Sequence, residues 1–115
     1  MSEKDKSNLL AIIDSCTKIR KFTEHIYDAD TLFADQRTFD AVLMNFIIIG
    51  EAVSRLTDEI KEDQNQISWI QIKGFRNIVA HNYFGVDAEE LWQIIKSSLL
   101  DFEKEIKAII IINDE

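Results

Sequence analysis

The sequence predicts an all-α bundle, and three observations carry that reading. Proline is absent and glycine occurs only three times in 115 residues, so few breakers interrupt the backbone. Apolar residues recur at three- and four-residue steps over long stretches, the period of a helix with one buried face. Two stretches open with a capping-box pattern, an oxygen-bearing side chain followed three residues later by Gln or Glu. The length suits one domain, residues 1–115, with about two-thirds of the unfolded surface buried around one core. Four main helices plus a short fifth, packed up and down, are expected.

The first helix carries Leu9, Ile12, Ile13, Cys16, Ile19, Phe22 and Ile26 as one stripe, with Lys18, Arg20, Lys21 and Glu24 mostly on its wet side. "YDADTLFAD" is polar and acidic enough for a connection, with room for a short turn of helix. A second helix is expected from about Arg37 to Glu62, through Phe39, Val42, Leu43, Phe46, Ile47, Val53, Leu56 and Ile60. Its middle, "FIIIGEA", is apolar almost all round, and Gly50 suggests close backbone packing there. After "EDQNQ" breaks the pattern, Ser68 with Gln71 starts a short helix carrying Trp69, Ile70 and Ile72, which continues or restarts through Phe75, Ile78 and Val79. "HNYFG" ends it, with Gly85 suited to a turn. Asp87 with Glu90 opens a final helix with Leu91, Ile94, Ile95, Leu99, Phe102, Ile106 and Ile109 inward. The terminal "AIIIIN" has more apolar surface than one stripe needs. It either packs back on the first helix or covers a partner.

Composition narrows function. Cys16 is the one cysteine, so no internal disulfide or cysteine metal site is expected, and its place in the stripe makes it a core thiol. No charged leader precedes an apolar run, and no run approaches the ~20 residues of a membrane span, so a cytoplasmic protein is expected. The net charge of −8 argues against unspecific nucleic-acid binding over the whole surface. It leaves room for a local site. From Gln64 to Val86 there is no Asp or Glu, where an even spread would place several.

That acid-free window contains "GFRNIVAHNYFGVD", with Arg76, Asn77, His81 and Tyr83 inside eight residues. Arginine is always protonated and presents a planar fork of donors that grips phosphate. Histidine, with an ordinary pKa near 6.5, moves protons near neutrality. Asn77 precedes His81 by one helical turn and can orient the imidazole. Arg76 and His81 are five residues apart, about 140° around a helix, so they converge only at a helix end or with help from a second copy. The set fits metal-independent RNA cleavage, in which the ribose 2′-OH attacks the adjacent phosphate and leaves a 2′,3′-cyclic phosphate. That reaction uses a base and an acid, and a symmetric dimer would supply two histidines. The bland alternative is an exposed arginine, a histidine at a helix C-terminus and a tyrosine anchoring a turn.

Other candidates carry less. His25 lacks a second histidine or cysteine nearby and reads as a surface residue. "DAD" and "DEIKED" read as solvated acids, not a two-metal site, and no phosphate-cradling glycine loop occurs. Ser97 and Ser98 lack a partnered base. Trp69 and Trp92 sit at core spacing. No metal or cofactor is expected.

"FRNIVAHNYFGVD" resembles the signature of HepT-like proteins, a prokaryotic branch of the HEPN superfamily. "LFADQRTFDAVLMNFIIIGEAVSRL" is similar to that family's central helix, so the resemblance covers nearly the whole chain. It implies an HEPN-like α-helical homodimer with two motifs facing one cleft, acting as a metal-independent endoribonuclease toxin. Arg76 and His81 match the family's catalytic pair and Asn77 the polar position beside the arginine. The implied partner is a minimal nucleotidyltransferase antitoxin that silences the toxin by transferring AMP to the motif tyrosine, here Tyr83. RNA is then the substrate, with no DNA or membrane partner. Many relatives place a proline before the tryptophan of the third helix, where this chain has "QNQISW"; that puts only the loop geometry in question. Two other readings remain: a noncatalytic nucleotide-binding module or helper subunit of a nucleotidyltransferase, and a simple dimerising bundle.

Overall fold

The structure is a computed structural model that describes residues 1–73 and 87–114. These residues form helices α1 (Glu3–Phe22), α2 (Ala29–Ala34), α3 (Gln36–Arg55), α4 (Asp58–Asp63), α5 (Trp69–Lys73), α6 (Ala88–Gln93) and α7 (Leu99–Asp114). A π-helical turn, Ile94–Ser98, joins α6 to α7 in one helical rod. No strand occurs among the described residues, and the all-α expectation is met. The expected continuation through Phe75, Ile78 and Val79, and the turn at Gly85, lie outside the described residues.

Most helix starts are fixed by a short side chain accepting exposed N–H groups, as helix ends require. Ser2 accepts from Asp5 for α1, Asp28 from Thr31 for α2, and Asp35 from Thr38 for α3. Asp87 accepts from both Glu89 and Glu90, so the second capping-box position does cap the final helix. Ahead of α5, the Ser68 carbonyl takes the Ile72 N–H at 3.1 Å.

The core lies where α1, α3 and α7 meet. Leu9, Ile12, Cys16 and Ile19 of α1 are fully buried against Val42, Phe46, Ile49 and Val53 of α3, with Leu99, Ile106 and Ile109 of α7 completing the layer. Asp5, near the start of α1, bonds Thr57 just past α3, while Lys21 and His25 at the other end share a cavity with Arg37 and Thr38. The two helices therefore run antiparallel. Likewise Ser2 and Asn113 line one cavity and Arg20 bonds Glu103, so α1 and α7 are antiparallel as well.

Three expectations are adjusted. The second helix does not reach Glu62. It ends at Arg55, because the Asp5 carboxylate takes the Thr57 N–H at 2.9 Å and its hydroxyl at 2.6 Å, and the chain restarts as α4. "FIIIGEA" is not buried all round: Phe46, Ile49 and Gly50 face inward, while Ile48 is exposed. The terminal apolar run divides, with Ile109 in the core and Ile111 and Ile112 in solvent.

Arg20 is not simply on the wet side. It grips the buried Glu103 carboxylate in a bidentate pair, at 3.1 Å from Nε and 2.7 Å from Nη2, and Lys107 adds a bond at 3.1 Å. Burial alone would raise the Glu103 pKa, but these hydrogen bonds and charges outweigh it and hold the carboxyl below its ordinary range. The pair ties α1 to α7.

Candidate functional site

The four residues singled out for chemistry, Arg76, Asn77, His81 and Tyr83, lie outside the described residues. What is described is the frame that holds both ends of their segment. On the N-terminal side, α5 packs on α3 through Trp69 and Ile72, and the Trp69 indole N–H donates to the Gln64 carbonyl at 3.1 Å. On the C-terminal side, Asp87 caps α6, which packs on α2 and buries Leu91 and Trp92. Both tryptophans are core residues, as their spacing predicts. Residues 74–86 thus span between two anchored helices, each fixed by an indole.

A groove of about 360 Å³ runs between the approach to α5, with α5 itself, and the π turn. Its apolar lining comes from Ile67, Ile72, Ile94, Leu99 and Phe102. Its polar lining consists of neutral hydrogen-bonding groups, Gln66, Ser68, Gln71, Ser97 and Ser98, together with Asp101 and Glu105. Amides and hydroxyls beside apolar side chains suit a flat, uncharged polar group such as a nucleobase, while the two carboxylates disfavour a phosphate. The volume lies at the small end of ligand sites.

Both serines lie in the π turn. Ser97 Oγ donates to the Gln93 carbonyl at 2.5 Å, competing with the backbone for that acceptor. A one-residue expansion of a helix is a local cost that recurs at functional sites. Sequence reasoning set Ser97 and Ser98 aside for want of a partnered base; what it did not foresee is the widened turn, of which a serine pair inside a helix gives no sign. Within the same rod, the Lys96 ammonium sits 5.4 Å from the Trp92 ring centroid.

The remaining polar candidates have structural partners. His25 is exposed and lies 2.8 Å from Asp35, which it holds down to a pKa of about 2 with help from the Thr38 N–H and hydroxyl. Cys16 is buried, and its thiol is pushed up to about 12, first by desolvation and then by the nearby Glu103 charge. It is a core thiol without thiolate character. No three His, Cys, Asp or Glu side chains converge as a metal site among the described residues, and no described helix is long and apolar enough to cross a membrane.

The described residues form an antiparallel, all-helical frame, and in sequence the Arg/His segment falls between two of its short helices. A family model described as "Ribonuclease HepT-like" matches residues 12–109, a span that includes all four motif residues. Among curated proteins, "Putative RNase MJ1380" of Methanocaldococcus jannaschii is 32% identical over 110 residues, covering 95% of this chain and 100% of that one. "Probable ribonuclease HepT" of Thermococcus cleftensis is 32% identical over 99 residues, covering 86% and 89%. "Putative RNase MJ0127", also of Methanocaldococcus jannaschii, is 31% identical and covers 96% and 91%. The chain belongs to the HepT-like ribonuclease family. No solved structure matches it significantly.

Proposed function

We propose that this protein is a metal-independent endoribonuclease whose Arg76 and His81 act on the RNA backbone. The observation that carries the reading is the family match over residues 12–109, which contains the whole R-x-x-x-x-H-x-Y segment. In this reaction the ribose 2′-oxygen bonds to the adjacent phosphorus and gives up its proton to a histidine. The bond to the 5′-oxygen breaks, that oxygen takes a proton, and a 2′,3′-cyclic phosphate remains. Arg76 stabilises the extra phosphoryl charge and Asn77 orients the His81 ring.

The reaction uses a base and an acid, so the reading includes a homodimer with two motifs at one cleft. Exposed apolar side chains support it: Leu10 on α1 and Met44 and Ile48, one turn apart on α3, are poorly suited to water. The reading also includes control by a minimal nucleotidyltransferase that adenylylates Tyr83. That modification adds bulk and a phosphate charge two residues from His81, where Arg76 would hold it as it holds RNA. The protein is then a toxin in a two-gene system. The charge of −8 favours a second reading, a noncatalytic nucleotide-binding subunit, since RNA approaches through a repulsive field.

Intact mass of the protein made with and without its adjacent gene, with host growth recorded, separates these. Addition of AMP at Tyr83 with the neighbour present, and toxicity only without it, supports the toxin. Harmless, unmodified protein in both cases supports the noncatalytic subunit.

A further inference from the structure

We propose that the corner where the end of α1 meets the start of α3 is a second contact for the phosphate backbone of single-stranded RNA. This rests on the ribonuclease reading and adds a docking point outside the Arg76/His81 segment. A cavity of about 330 Å³ at this corner is lined by Lys21, Phe22, His25, Arg37, Thr38 and Ala41. Basic side chains from two helices converge there, and no described Asp or Glu is among the lining residues. That is unusual in a chain with 21 acids against 13 Lys and Arg.

Four cations elsewhere are paired with acids. Lys18 pairs with Asp14, Arg20 and Lys107 with Glu103, and Arg55 with Glu51. Lys21 and Arg37 have no ion pair with any described residue, so both charges are available to a ligand. Asp35 and Asp40, though charged, are each hydrogen-bonded to neighbours. Asp35 accepts from His25, from the Thr38 N–H and from the Thr38 hydroxyl, and Asp40 accepts the Gln36 amide at 2.8 Å. His25 is thereby hydrogen-bonded to the cap of α3.

The corner offers two cations on long side chains, a hydrogen-bonded imidazole and one aromatic face. Such a set tracks a charged backbone and stacks a base without reading its edge, as single-strand binders do. Phe22 lines the cavity, and Tyr27, 79% exposed, stands in the connection that follows. Aromatic faces favour RNA over an acidic protein segment.

The test uses full-length His81→Ala protein, so that bound RNA is not consumed. Binding of a short labelled single-stranded oligonucleotide is followed by anisotropy across salt concentrations. Lys21→Gln with Arg37→Gln is compared with Lys4→Gln plus Lys104→Gln, an equal change of net charge at exposed lysines elsewhere. The expected result is at least a tenfold weakening for the first pair only. The salt slope falls by about 1.4 as well, which is about 0.7 for each phosphate no longer neutralised. Equal weakening in both pairs, or none in the first, overturns the proposal. So does displacement of the oligonucleotide by inorganic phosphate at matched ionic strength, which would assign the cavity to a small free anion. So does an acidic peptide that competes as well as RNA. Wild-type protein that fails to cleave, in the presence of binding that depends on Lys21 and Arg37, would refute the catalytic reading and leave the docking point standing. Cleaving wild type with unaltered binding by the first pair would do the reverse.

Discussion

Glu103→Gln tests whether the buried ion pair between α1 and α7 holds the bundle together. The carboxylate is 1% exposed, whereas its partners Arg20 and Lys107 are 37% and 49% exposed. Removing one partner of a fully buried pair costs about 3–5 kcal/mol, and a hydrogen bond to a charged group contributes about 1.5–3 kcal/mol. Here the two cations left behind still reach water, and glutamine keeps the shape and one acceptor. The cost therefore falls in the hydrogen-bond range and below the buried-pair range, about 2 kcal/mol. For a chain of this size that is a fall in Tm of roughly 8 °C, or about 1 M in urea midpoint. The pH dependence has a definite sign. Glu103 has a folded pKa below its unfolded value, so its contribution is complete above the unfolded value, about 4.3, and is lost as pH falls through the folded one. Urea titrations of wild type and variant are then separated by a constant gap near neutrality that closes in acid. A gap under about 0.5 kcal/mol at neutral pH, within the range of ordinary surface substitutions, would refute the argument, as would one that persists unchanged in strong acid.

Two further outcomes follow from the same structure. Native Cys16, with its thiol near 12 and no exposed surface, is expected to resist alkylation by iodoacetamide at neutral pH and to react once urea unfolds the chain, read by intact mass. His25→Ala removes the largest influence holding Asp35 down, so the Asp35 carboxyl moves up from about 2 toward its ordinary value while Thr38 retains part of the effect, read by NMR titration of the carboxyl carbon.

Much of the frame was legible because its signals are local. The α1 stripe of Leu9, Ile12, Cys16 and Ile19 is fully buried, and Asp87 caps the last helix, since periodicity and caps act within a turn or two. The misreadings come from contacts far apart in sequence. "SRLTDEIKED" continues a helical pattern, yet Asp5, 52 residues earlier, captures Thr57 and ends α3. Arg20 sits at a solvent position of its own helix, but its partner is 83 residues away. The π turn at Ile94–Ser98 has no signature in a serine pair. For the site, residue types and spacing marked Arg76, Asn77, His81 and Tyr83, and the family match covers them. The cavity at Lys21 and Arg37 was invisible, because its walls come from two helices whose alignment depends on packing.

The central claim is that His81 cleaves RNA without a metal. Purified, unmodified wild-type protein and His81→Ala are incubated with single-stranded RNA in excess chelator, and the product ends are identified by mass. Wild type is expected to release fragments ending in 2′,3′-cyclic phosphate, and His81→Ala to fall at least a hundredfold in rate with its helical circular dichroism unchanged. Intact RNA with the unmodified wild type, or equal cleavage by the variant, would contradict it.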